Sequence, residues 1–180
     1  RLVTTFMGFG ILGLEYEIAP DRVFLLNPGQ SLDVGDRLLT AFRPPVYDSP
    51  ATTGFSDGLT GTLFTSDCFG APLADVETAV VDDIAAVPTD ELLAGQRLWV
   101  TADSPWVAGV DRARFRASLE PLRALDPPVV LSTHLPPAHR AMPRLLDMLA
   151  NAPEADSWVG PDQAAIEAML AGMEPAPVPA

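Results

Sequence analysis

The stretch Val129-Val130-Leu131-Ser132-Thr133 constrains the fold most strongly. It opens on three consecutive apolar residues and lies between Asp126-Pro127-Pro128 and His134-Leu135-Pro136-Pro137, so it is too short for a helix. A strand without alternation has no solvent face. It must be covered on both sides, which places it inside a sheet flanked by helices.

The flanking sequence supplies both kinds of element. Leu2-Val3-Thr4-Thr5-Phe6 reads as a strand, and a β-meander is expected from Val23–Leu26, Ser31–Val34 and Leu38–Phe42, each stopped by a turn signal at Asn27-Pro28-Gly29, Gly35-Asp36 or Pro44-Pro45. Asp57-Gly58-Leu59-Thr60-Gly61 reads as a turn delivering a buried strand over Thr62–Ser66. The period then changes. Thr89-Asp90-Glu91 starts one helix, and Asp111 starts another that carries Phe115, Leu119, Leu122 and Leu125, with Pro121 expected to kink or divide it. Helical spacing returns over 142–149 and 163–173. Strands followed by strands alternating with helices predict a layered α/β (α+β) domain over residues 1–173, and Glu174-Pro-Ala-Pro-Val-Pro-Ala180 reads as a disordered Pro-rich tail. The chain opens on Arg1 and passes straight into a strand, which reads as the interior of a longer, N-terminally truncated protein.

Charge narrows the partners. With 24 acidic against 11 basic residues, every one of the latter Arg, the net charge is −13, a surface that repels phosphate backbones and anionic lipid. Neither nucleic acid nor a membrane surface is expected as a partner, and no apolar run approaches the ~20 residues a membrane helix needs. Cys68, the single cysteine, excludes an internal disulfide and fits a reducing cytoplasm, the expected location.

The chemistry-bearing candidates stand at strand ends, where side chains from different strands converge. Asp67 follows Ser66 and His134 follows Thr133; a carboxylate and an imidazole can ligate a divalent metal. Asp67 can equally cap the loop that follows it, and His134 can be a half-buried ring satisfied by a carbonyl. The spacing between them is uninformative by itself. Cys68 reads as packing or as a thiol beside the site, and His139 as a loop residue or a partner of His134. Asp103-Ser104-Pro105-Trp106 reads as a loop packed over its Trp or lining a cleft mouth. Gly8-Phe9-Gly10 lacks the third glycine and the acidic partner of a dinucleotide site.

Three phrases carry a resemblance: Arg43-Pro-Pro-Val-Tyr-Asp-Ser-Pro-Ala-Thr-Thr-Gly-Phe55, Gly61-Thr-Leu-Phe-Thr-Ser-Asp-Cys-Phe-Gly70 and Leu131-Ser-Thr-His134. Over roughly residues 20–170 the chain resembles the metallo-β-lactamase-fold superfamily, nearest its flavodiiron, oxygen-binding di-iron branch. The resemblance implies the C-terminal half of an αββα sandwich, with Asp67 as the carboxylate bridging two metal ions and His134 as a terminal ligand of the second. Asp48 stands where that branch places a His, so it is a third candidate ligand or a carboxylate stabilising the Asp48-Ser49-Pro50 turn. The superfamily's cluster His-x-(His/Glu)-x-Asp-His is missing from this sequence. Two divalent ions, iron or zinc with manganese as a further choice, would therefore need ligands outside this chain. The leading expectation is a metallo-hydrolase with a two-metal cleft acting on a small-molecule substrate. The alternatives are a di-iron redox protein taking dioxygen, with electrons from a separate flavoprotein, and a metal-free remnant. The resemblance leaves room for a homodimer.

Overall fold

The structure is a computed structural model that describes residues 1–173; the expected Pro-rich tail at 174–180 lies outside the described residues. Among the described residues eight strands form two sheets, β1 (Leu2–Thr4) with β2 (Val23–Leu25), and a six-stranded sheet running in chain order from β3 to β8. The latter comprises β3 (Ser31–Asp33), β4 (Leu38–Phe42), β5 (Gly54–Asp57), β6 (Leu63–Phe64), β7 (Val129–Leu131) and β8 (Ala138–His139).

The expected meander exists but is displaced by one strand. β2 pairs in parallel with β1, and the antiparallel run is β3-β4-β5-β6. Parallel pairing needs a crossover, and here helix α1 (Phe6–Leu12) supplies it, so Phe6 begins a helix rather than ending a strand. Thr5 caps α1 by accepting from the Gly8 amide at 2.9 Å. Two glycines in α1 mask its helical signal, and Gly8-x-Gly10 lies within it. Strand β5 went unread because Gly54 opens it; a Cβ there would sit 2.6 Å from the Phe42 ring. Its neighbour Phe55 stacks on its cross-strand partner Phe64, with centroids 4.4 Å apart.

The turn 57–61 is as expected. Asp57 accepts from the Leu59 amide at 2.8 Å and the Thr60 hydroxyl at 2.9 Å, and Gly61 takes a positive φ of 72°. Arg37 adds an ion pair at 2.9 Å. These bonds, led by the Leu59 amide, hold the carboxyl down at about 2.

Between β6 and β7 come α2 (Val76–Ala79), α3 (Thr89–Asp103) and α4 (Arg112–Leu125), and α5 (Met142–Leu149) and α6 (Gln163–Ala171) follow β8. Asp111 caps α4 through the Arg114 amide at 2.8 Å. Pro121 does not divide α4, which runs unbroken through it. The core joins Leu63 and Val130 of the sheet to Leu92 of α3, Leu119 of α4, and Leu145 and Leu146 of α5, all at most 1% exposed. No helix among the described residues is long and apolar enough to cross a membrane.

Candidate metal centre

Within the six-stranded sheet every strand pair but one is antiparallel. β6 and β7 are parallel, in the register Leu63↔Val130 and Phe64↔Leu131. Extended three residues, that register sets Asp67 beside His134, so a spacing that says nothing in the sequence becomes a contact through strand pairing. The strands themselves stop earlier than expected, at Phe64 and Leu131, but backbone bonds carry the pairing on. The Thr65 amide donates to Leu131 O at 2.8 Å and the Thr133 amide to Ser66 O at 3.0 Å. Ser132 adds its hydroxyl to the same Ser66 carbonyl at 3.0 Å.

The turn after β6 is unusual. Ser66 and Phe69 adopt left-handed backbone, at φ 52° and 72°, a region that non-glycine residues enter only when the surroundings hold them there. Helix α3 does the holding from outside, since the Trp99 indole donates to Asp67 O at 2.9 Å and the Gln96 amide nitrogen to Phe69 O at 3.0 Å. From within, the Thr65 hydroxyl donates to Cys68 O at 3.1 Å or to Leu131 O at 3.2 Å. The Ala71 amide then returns to His134 O at 2.9 Å.

Asp67 and His134 consequently meet, with His134 Nε2 3.1 Å from Asp67 Oδ1. The same oxygen accepts from the Thr133 hydroxyl at 2.7 Å, whereas Oδ2 has only the distant Ser66 hydroxyl at 3.5 Å. The side chains are 24% and 48% exposed, so both are open to a ligand. The His134 ring rests against Trp99, with centroids 4.5 Å apart.

The other candidates sort differently. Asp48 accepts from the Thr52 hydroxyl at 3.0 Å, the turn-stabilising arrangement, and Trp106 pins this loop by donating to Tyr47 O at 2.9 Å. Cys68 is fully packed, and burial pushes its thiol well above the ordinary range, which leaves no reactive thiolate. His139 is exposed on β8 opposite Val129 rather than in a loop. Asp103, at the end of α3, has its carboxyl raised, first by burial and then by the charges of Asp48 and Asp67, against the opposing Ser104 bond and His134. Sequence reading passed over Trp99 and Gln96, whose helical spacing marks them only as residues of α3.

These donors agree in kind with a hard divalent cation, but their number falls short of the three protein ligands that catalytic sites commonly use. Among the described residues, no three His, Cys, Asp or Glu side chains are grouped to hold one ion. The two atoms a cation would take, Asp67 Oδ1 and His134 Nε2, lie 3.1 Å apart. A cleft of about 1020 Å³ between α3 and α5 contains neither Asp67 nor His134.

No family model and no curated protein matches the sequence. Solved structures do. Rubredoxin oxygen:oxidoreductase of Desulfovibrio gigas aligns over 84% of this chain and 37% of its own, at 15% identity and a TM-score of 0.66. The flavodiiron protein of Giardia intestinalis aligns over 84% and 36%, at 18% identity and a TM-score of 0.67. The fold is that of the metallo-β-lactamase superfamily. Within it the neighbours are flavodiiron proteins, a variant flavo di-iron protein of Thermotoga maritima among them, at 16% identity, a TM-score of 0.64 and 84% and 36% coverage. The chain spans about a third of the length of these structures.

Proposed function

We propose that this chain is the portion of a flavodiiron-like redox protein that contributes Asp67 and His134 to a two-metal centre, the remaining ligands lying outside this chain. The observation that carries the reading is the β6–β7 register. It sets a carboxylate and an imidazole 3.1 Å apart in a fold whose solved neighbours are flavodiiron proteins. Carboxylate ligation favours iron over a zinc site built on imidazoles.

When bound, iron would supply one-electron chemistry toward dioxygen or nitric oxide. This chain's part is to fix the ligands. Thr133 orients the Asp67 carboxylate by donating to Oδ1 at 2.7 Å, and Oδ2 has only the Ser66 hydroxyl at 3.5 Å, so Asp67 would offer a fixed, accessible carboxylate to a metal. His134 is held from behind by its ring contact with Trp99. Asp103 carries a negative charge near enough to Asp67 and His134 to couple to both, which favours a cation between them. Dioxygen as substrate and a separate electron-donor flavoprotein belong to the same proposal, by analogy with the Desulfovibrio gigas protein, whose name states a donor and oxygen. The hydrolase expectation draws no support from these neighbours, none of which is named for hydrolysis.

The test is anaerobic loading with ferrous iron of the longer protein of which this chain would be a portion, followed by metal counting by mass spectrometry, against its Asp67→Ala, His134→Ala double variant. Iron retained by the parent and lost from the variant, with a near-ultraviolet absorption change on admitting air, supports the reading. Equal retention, or none by either, overturns it in favour of the metal-free alternative.

A further inference from the structure

We infer that Trp99 is the positioning residue of the Asp67–His134 pair. The inference deepens the metal-centre reading and rests on it for its purpose. Three contacts converge on one indole. Its N–H donates to the Asp67 carbonyl at 2.9 Å, its face lies 4.5 Å from the His134 ring at a 40° tilt, and its edge seats on Gly70. The seat admits nothing larger than glycine, because a Cβ on Gly70 would lie 2.7 Å from the indole Cε2 and Nε1.

One side chain thus fixes both members of the pair, Asp67 through its backbone and His134 through its ring. The turn it grips includes left-handed Ser66 and Phe69, so the bond holds a conformation the chain would otherwise leave. Trp99 is also a partition. It lines the large α3–α5 cleft on one side and, on the other, a hollow of about 290 Å³ shared with Thr133, His134 and Leu135. Losing the indole would open His134 toward the cleft and its water.

The chain has only two histidines, so their ring protons can be told apart by nuclear magnetic resonance. In metal-free protein, Trp99→Leu is expected to move the His134 ring protons downfield as the indole ring current is lost, leaving those of His139 in place. Gly70→Ala, which alters neither the indole nor the pair, is expected to move them the same way by lifting the indole off its seat. Trp99→Phe keeps a ring beside His134 but removes the N–H, and is expected to weaken cobalt(II) binding about tenfold, read from the cobalt absorption bands.

Unmoved His134 resonances in folded Trp99→Leu and Gly70→Ala overturn the inference. So does an unchanged cobalt affinity in Trp99→Phe. Failure of the longer protein to bind cobalt, with the His134 protons of this chain still moving, overturns the metal reading and leaves the positioning role standing.

Discussion

Helices α5 and α6 are nearly equal in length and opposite in fate. α5, Met142–Leu149, buries Met142, Leu145, Leu146 and Leu149, and its Arg144 and Asp147 occupy the other face. α6, Gln163–Ala171, has few polar residues and buries nothing, with Met169 and Leu170 61% and 62% exposed. Segregation of apolar residues onto one face, not their total, marks a helix that packs. The same contrast separates the six-stranded sheet with α3–α5, which closes around one core, from the β1–α1–β2 unit, whose Phe6 and Met7 remain 66% and 49% exposed.

The largest test of this contrast is a pair of truncations. Leu146→Ala should cost about 2–5 kcal/mol in urea unfolding, as deletion of a fully buried leucine does, whereas Ile166→Ala on α6 should cost less than about 0.5 kcal/mol. Similar costs would mean that α6 is packed after all.

Acidic groups extend the comparison. Asp57 is served by the Leu59 and Thr60 amides, the Thr60 hydroxyl and Arg37, and its carboxyl is held at about 2. Because the folded value lies below the unfolded one, the ionised form stabilises the fold. The stability gap between the parent and Asp57→Asn should be full above about pH 4 and close as pH falls toward 2, as measured by thermal unfolding across pH. A gap independent of pH would sink the assignment.

At the pair itself, Thr133→Val removes the 2.7 Å bond to Asp67 and should cost about 1 kcal/mol in urea unfolding, reduced if water replaces it. A cost near zero would show that the carboxylate has no need of that bond. The smallest effect has the opposite sign. Asp103 has its carboxyl raised, so its ionised form destabilises the metal-free fold at neutral pH, and Asp103→Asn should raise Tm by roughly 1–2 °C at pH 7 but not near pH 3. A lowered Tm at pH 7 would show that the charge is served by a partner.

Much of this was legible in advance. The unalternating run at Val129, the Asp111 cap and the 57–61 turn read correctly because each depends on local chemistry. Phe6 misread, and Pro121 failed to divide its helix, because tertiary packing overrode local preference. The β1–β2 pair demanded a crossover helix where two glycines argue against one, and α4 continued through its proline while packing Phe115, Leu119 and Leu122 into the core. Asp67 and His134 were found by residue type and position at strand ends. Trp99 was not, because an indole N–H bonded to a backbone carbonyl far along the chain leaves no trace in spacing.

The sequence alone determined the layered class, the turn chemistry, the acidic surface and the two side chains able to ligate a metal, since these follow from residue type and short-range periodicity. Only the tertiary structure decided that Asp67 and His134 touch. Their meeting depends on the parallel register of two strands separated by the whole α2–α4 crossover, and on a helix that clamps the turn between them. Such long-range registers are set by the burial of the entire core, which no local segment of the chain encodes.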